Sequence, residues 1–334
     1  MTDKFGFGII GTGMAVEPHM LALQELGDQI AVRGVYTRSA QNREAFAKLS
    51  GFPAVSSLDQ ILNDQKIKAV LLLTPPNHRR ELVAKLAGAG KHILMEKPVG
   101  RTLPEANELV SVCADAGVTL GIVFQHRFKT SSMAMKALIA KGTLGKLCSV
   151  ALTVPLWRGQ DYYDEPGRGT FARDGGGVML TQAIHEMDLM LWLAGPVKSV
   201  QAMTGTTRHR MEAEDFVAAA LAFENGALGS VMATVTAYPG YPERLMLTYE
   251  HATAHISQVC LHIDWVDGRS FAPVGDATEP RHKWFKAQIS EFVDAVRAAR
   301  PPMANGDNAL PVHRMISAIE QSSKSGRRIF SEPG

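Results

Sequence analysis

The sequence predicts two domains: an α/β domain built on a doubly wound parallel sheet over residues 1–124, and an α+β domain with a large, mostly antiparallel open sheet over residues 125–334. Three observations predict this. Short apolar runs alternate with helical segments up to Phe124. A Gly11-Thr12-Gly13 turn ends the first of those runs. Beyond Phe124 the alternation gives way to long strands joined by turn residues, and a chain of 334 residues is long enough for two separate cores.

Residues 5–10, FGFGII, read as the first strand, and the segment after Gly13 reads as a helix with Met20, Leu21, Leu23 and Leu26 on one side. Residues 30–37 read as a second strand, followed by an amphipathic helix to about Leu49. Further strands are expected at 69–73, 92–95 and 119–124, with helices at 58–63, 79–89 and 104–116 between them. Apolar strands separated by helices are the signature of a parallel sheet covered on both faces. Pro75-Pro76 and Pro98 stand where strands stop, because proline cannot donate to a ladder.

Such sheets bind ligands at the C-terminal edges of their strands. At the first edge, Gly11, Thr12, Gly13 and Met14 form a turn whose glycines let the backbone approach a pyrophosphate, with a helix N-terminus behind it. That is the context of a dinucleotide-binding Rossmann domain, although Val16 replaces the third glycine of the usual fingerprint. The second edge, Tyr36-Thr37-Arg38-Ser39, lacks the acid that takes ribose hydroxyls in NAD-specific proteins. Arg38 and the hydroxyls of Thr37 and Ser39 suit a 2′-phosphate instead, so NADP is favoured, with NAD as the alternative. The third edge, Thr74-Pro75-Pro76-Asn77, is placed to wall a nicotinamide ribose. The fourth carries Glu96-Lys97-Pro98, where a partly desolvated Lys97 can donate to a substrate oxygen; a salt bridge at a strand end is the plainer alternative.

In the second half, residues 125–145 are polar and helical. Strands are expected at 148–154, 197–203, 216–224, 227–236, 244–249 and 254–257, with Glu224-Asn225-Gly226 as a hairpin turn. Helices would cover one face of this sheet, and association into a homodimer or homotetramer would cover the other. In residues 175–195, Met179, Ala183, Met187, Met190 and Leu191 form a core stripe, while Thr181, His185 and Asp188 share one face. Polar side chains on an apolar helix need partners or a task, and three glycines before them let backbone pass close to a ligand.

Composition excludes other classes. A net charge of +2 gives no reason to expect a nucleic-acid partner, and the Arg79-Arg80 and Arg327-Arg328 pairs read as solvated surface. Cys113, Cys148 and Cys260 are odd in number and form no CxxC, which points to reduced thiols and no metal site. No basic segment leads into a long apolar stretch at the start, and no apolar run reaches membrane-spanning length. A cytoplasmic chain without a membrane partner is therefore expected.

The chain resembles the Gfo/Idh/MocA oxidoreductases along its whole length. The resemblance rests on Gly11-Thr12-Gly13, Thr74-Pro75-Pro76-Asn77, the stretch GKHILMEKP at 90–98, Gln125-His126-Arg127-Phe128, and Gly175-Gly176-Gly177 leading to His185 and Asp188. It implies a nicotinamide-dependent dehydrogenase or reductase acting on a sugar or polyol. Lys97 would be catalytic and His185 the acid/base, with Glu96 and Gln125 on the cofactor side and Arg127 and Thr181 on the substrate side. Thr181 stands where the family often has aspartate, so Asp188 is left either to orient His185 or to serve the structural role that its spacing also suits. Arg79 stands where the family often has a histidine. The stretch 157–177 looks like the branch that handles nucleotide-linked sugar acids: Trp157, Arg158 and Tyr163, with Tyr162, Arg168 and Arg173, would meet the sugar or its charged groups. Two other readings remain open, an oxidoreductase that holds and recycles its cofactor and a non-catalytic dinucleotide-binding regulator.

Overall fold

The computed structural model describes residues 4–331. Its first five strands are β1 (Phe5–Ile10), β2 (Ile30–Tyr36), β3 (Ala69–Leu72), β4 (His92–Glu96) and β5 (Leu120–Val123). They form one parallel sheet in the order β2-β1-β3-β4-β5. Helices α1 (Val16–Glu25), α2 (Ala40–Ser50), α3 (Leu58–Asn63), α4 (Arg79–Gly88) and α5 (Leu103–Asp115) connect them. β1, β3 and β5 are buried at every position, as continuous apolar runs in a two-faced sheet must be. Local signals set the helix ends: Ser39 caps α2 through Asn42 N–H at 3.2 Å, and the Gln60 side chain accepts from Ser56 N–H at 2.7 Å before α3.

The second sheet has eight strands: β6 (Leu147–Pro155), β7 (Val197–Gly205), β8 (Phe216–Phe223), β9 (Leu228–Thr234), β10 (Arg244–Tyr249), β11 (Ala252–Ser257), β12 (Cys260–Trp265) and β13 (Ile329–Phe330). They run in the order β12-β11-β10-β6-β9-β8-β7-β13, antiparallel except for the parallel β6/β9 pair. Helices α6 (Thr130–Ala140), α7 (Gln160–Tyr163) and α8 (Ile184–Ala194) lie in the same unit, with α8 packed on β6 and β10 and α6 on β12. The strands alternate: β10 buries Leu245 and Leu247 and exposes Arg244 and Met246. Met203 and Leu228 are also exposed, so the sheet keeps one open face.

The sequence pattern misses β12. CLHIDW directs Leu261 and Ile263 inward, and its Cys260, His262 and Asp264 face away, leaving only two buried apolar positions to signal a strand. The edge strand β13 is too short to carry a pattern.

Two further helices follow, α9 (His282–Arg297) and α10 (Gly306–Ser325). The chain divides into two compact units, but not by one cut. The first holds 1–100, 104–125 and 280–309; the second holds 101–103, 126–279 and 310–334. A single division after residue 124 thus leaves out the return of 280–309. The physical reason is packing: Phe285, Ile289, Phe292 and Val293 of α9 join Phe7, Ile9, Leu23, Leu71 and Leu94 in one core. Gln288 donates to Ile122 O at 2.7 Å, and Ile122 N–H donates to Ala304 O at 2.8 Å, so this return also covers the β5 edge. Among the described residues, no helix is long and apolar enough to cross a membrane.

Candidate active site

The first cluster lies at the C-terminal edge of the parallel sheet. After β1, Gly11 takes φ +97°, and a Cβ there would come within 3.1 Å of the Leu73 carbonyl carbon. Only glycine fits both the backbone angle and that close approach. Gly13 and Met14 are exposed above it, with Thr12 half-buried. After β2, Thr37 is half-buried and Arg38 exposed, with Arg38 Nη2 3.4 Å from His78 Nε2. Arg43 donates to Thr37 O at 3.0 Å, so two guanidiniums stand at this edge. Pro75 and Asn77 after β3 are exposed. Thr74 Oγ1 and, after β5, Gln125 Oε1 are buried atoms without a hydrogen-bond partner among the described residues. A glycine cradle and two unpartnered polar atoms at one sheet edge fit a dinucleotide.

After β4, Glu96 is buried and its carboxylate meets the buried His19 of α1 at 2.9 Å. Its other oxygen accepts the Lys97 N–H at 3.1 Å. Burial alone would raise the Glu96 carboxyl, but His19, Lys97 and Arg79 outweigh it and hold it below the usual range. Lys97 is half-buried at the strand end, beside the cis Lys97-Pro98 bond.

The reading of Arg79-Arg80 as solvated surface holds for Arg80, which is exposed and pairs with Glu108 at 2.6 Å. It does not hold for Arg79, which is 2 % exposed. Arg79 begins α4 immediately after the Thr74 turn, and its guanidinium bonds the carbonyls of Thr74, Lys97 and Pro98. Two adjacent basic residues give no sign of which one points inward.

The second cluster gathers on α8 and its approach. A Cβ on Gly177 would lie 1.8 Å from the Glu214 carbonyl oxygen, so the backbone there passes as closely as glycine allows. Glu214 caps the segment, accepting the N–H groups of Gly177 and Met179 at 3.0 Å each. Met179–Ala183 forms a π-helical turn before α8. Thr181 Oγ1 donates to Gly177 O at 2.6 Å. The expected core stripe, Met179, Ala183, Met187, Met190 and Leu191, is buried.

Thr181, His185 and Asp188 do not form one exposed polar face. Thr181 and His185 are half-buried, whereas Asp188 is 2 % exposed and both its oxygens are held by Arg127, at 2.8 and 2.5 Å. Arg127 is equally buried. The pair expected to orient a histidine and to touch substrate is thus a bidentate internal ion pair. Sequence reasoning also gave no role to His126 or Glu186. The His126 ring lies 4.9 Å from the His185 ring, and its Nδ1 is 2.8 Å from Glu186 Oε1. Lys129 reaches the same carboxylate at 3.3 Å. The signal was Glu186 itself, a second acid beside Asp188 in a helix whose other positions, His185 apart, are apolar.

Burial would raise the Glu186 carboxyl, but Lys129 and His126 bring it from 4.5 down to about 2. A depressed carboxyl stabilises the fold above its unfolded value and loses that contribution as pH falls through the folded value. In urea unfolding of Glu186→Gln, we expect stability to vary less than wild type between pH 4.5 and about 2, by on the order of 3 kcal/mol. An unchanged acid profile would count against the cluster.

The loop after β6 is held from below. His209 lies between Asp215 (Nδ1, 3.1 Å) and Arg158 O (Nε2, 3.0 Å). Trp157 packs edge-on to Tyr238 at 5.2 Å and carries Arg208 over its ring at 4.6 Å. Tyr163 packs on His209; burial raises its hydroxyl, which has no hydrogen-bond partner among the described residues. Arg158 stands 5.6 Å from the Tyr162 ring centroid. Arg168 and Arg173, expected to meet a carboxylate or phosphate, both bond Glu165 of their own loop. Among the described residues no group of three or more His, Cys, Asp or Glu is arranged to hold a metal ion.

Comparison with known proteins agrees with this architecture. Residues 5–124 match the family described as "Oxidoreductase family, NAD-binding Rossmann fold", and residues 132–255 match the "GFO/IDH/MocA C-terminal domain". Inositol 2-dehydrogenase of Leifsonia xyli is 26% identical over 100% of this chain and 95% of its own. The WlbA dehydrogenase of Bordetella pertussis, solved in complex with NADH and UDP-GlcNAcA, is 29% identical, with a TM-score of 0.87 over 100% of this chain and 99% of its own. Levoglucosan dehydrogenase, solved with NADH and levoglucosan, shares the fold at a TM-score of 0.92 and 20% identity, over 99% of this chain and 100% of its own. The chain belongs to the Gfo/Idh/MocA family of NAD-binding oxidoreductases.

Proposed function

We propose that this oxidoreductase transfers hydride between a nicotinamide cofactor and a secondary alcohol or ketone of a sugar, a polyol or a nucleotide-linked sugar acid. The observation that carries the reading is Lys97, half-buried at the end of β4 with its N–H held by Glu96, on the same sheet edge as the Gly11 cradle. When bound, a nicotinamide ring supplies the carbon that accepts or gives up hydride. Gly11, Thr12, Gly13 and Met14 would hold the pyrophosphate, and Thr74, Pro75, Asn77, Glu96 and Gln125 would face the nicotinamide half. The Lys97 ammonium donates to the substrate oxygen and steadies the negative charge that grows there in oxidation. His185 takes the hydroxyl proton and returns it in reduction, with Lys97 as its proton-relay partner. Likeness to the WlbA dehydrogenase, together with Trp157, Arg158 and Tyr163 on the loop after β6, favours a nucleotide-linked acid among the substrates. The exposed Met203, Leu228 and Met246 of the open sheet favour a homodimer or homotetramer through that face.

NADP is the preferred cofactor in this reading. Arg38 and Arg43 stand at the end of β2, and Tyr36-Thr37-Arg38-Ser39 offers no carboxylate to ribose hydroxyls. Fluorescence titration with NADPH and NADH, followed by a panel of sugars, polyols and nucleotide-linked acids, tests the whole reading. Binding of neither dinucleotide would overturn it. Arg38→Asp is expected to weaken NADPH by about tenfold or more while NADH changes by less than about threefold. Equal loss for both cofactors would remove Arg38 from the discrimination.

A further inference from the structure

We infer that Arg79 is the positioning residue of Lys97: a buried guanidinium that fixes the lysine-bearing turn after β4 against the turn after β3. The inference rests on the functional reading above, which makes Lys97 catalytic.

The ladder between β3 and β4 ends at Leu72 and Met95, and that between β4 and β5 ends at Glu96 and Val123. The carbonyls of Thr74, Lys97 and Pro98 therefore lie past the last strand pairing. Arg79 meets all three. Its Nε and Nη2 donate to Thr74 O at 3.0 and 2.9 Å, Nη2 also to Lys97 O at 3.3 Å, and Nη1 to Pro98 O. A planar group with five donors in a fixed fork can span two turns in this way; an ammonium cannot. The guanidinium thus takes over where the ladder stops.

Lys97 is consequently held on both sides of its own backbone. Glu96 accepts its N–H at 3.1 Å, and Arg79 donates to its C=O. Glu96 itself is fixed by His19, and Arg79 ties the lysine peptide to the Thr74 turn. Burial lowers the Arg79 guanidinium from 12.5 to about 10, which leaves it charged at neutral pH. A buried charge whose three nitrogens all meet backbone carbonyls is costly to replace by a group with fewer donors.

The test uses the full chain and two variants, Arg79→Lys, which keeps the charge, and Arg79→Gln, which keeps planar donors. The first measurement is amide hydrogen exchange over 72–78 and 93–100 in the protein without ligand, and it does not depend on turnover. Exchange in both segments is expected to rise at least about fivefold in Arg79→Lys and less in Arg79→Gln, with the remaining peptides unchanged. The second is a double-mutant cycle. Arg79→Lys should lower kcat by about 10- to 100-fold with the substrate KM within about twofold, and should add less than about twofold loss in a Lys97→Met background. Protection that stays at wild-type levels, or losses that multiply in the double variant, would overturn the inference while leaving the functional reading intact. A wild-type chain that binds neither dinucleotide would remove the functional reading and this inference with it.

Discussion

Lys97→Met is expected to lower turnover by about 10³-fold or more while both reduced dinucleotides bind within about threefold of wild type. Two losses combine. Removing a charged donor from a developing oxyanion costs roughly 10²–10³ in rate, and removing a group from a proton-transfer step costs roughly 10²–10⁴. The effects overlap in one side chain, so they do not multiply fully. Methionine is unbranched and of similar length, and it leaves the backbone bonds to Glu96 and Arg79 in place. The sheet edge and its Gly11 cradle are then undisturbed, which is why binding is retained. Steady-state rates at saturating substrate, beside a fluorescence titration of the same preparation, check both halves. Wild-type turnover by this variant would remove Lys97 from the chemistry.

Asp188→Ala is expected to lower stability by about 3–5 kcal/mol, the cost of leaving one member of a buried ion pair without its partner. Arg127 and Asp188 are each 2 % exposed and share two charge-assisted bonds, so the guanidinium left behind has no water to turn to. Replacing both, as in Arg127→Met with Asp188→Leu, should recover much of the loss, because an apolar pair removes the stranded charge. Urea unfolding of the single and double variants measures this. A single-variant loss below about 1 kcal/mol would mean that the pair is not closed off from solvent. Since Asp188 and His185 share α8, the single variant should also lose activity beyond what its unfolded fraction explains.

Much of the fold was legible because periodicity is a direct consequence of burial. Strands β1, β3 and β5 are buried on both faces, so they read as unbroken apolar runs, and helix α3 was recovered with the bounds it has in the structure. The second sheet has one open face, so its strands alternate, and where apolar positions were few, as in β12, the signal failed. The C-terminal edges of the first sheet were legible too, since strand ends and glycines mark them. The partners that fix those edges were not. Arg79 and Arg80 are chemically identical in sequence, yet one is enclosed by carbonyls and the other faces solvent beside Glu108. Spacings of three and four put Thr181, His185 and Asp188 on one ideal α-helical face, but the π-helical turn over Met179–Ala183 breaks that geometry, and Asp188 meets Arg127 from a distant segment. Long-range pairing of charges leaves no periodic trace.

The return of residues 280–309 to the first unit has a consequence for synthesis. When the ribosome has released the five parallel strands, Phe285, Ile289 and Phe292 have not yet been translated, and the nascent sheet lacks the apolar cover they supply. That half-finished surface must be shielded until the late helix emerges, so a truncated fragment ending near residue 125 should precipitate or remain bound to chaperones.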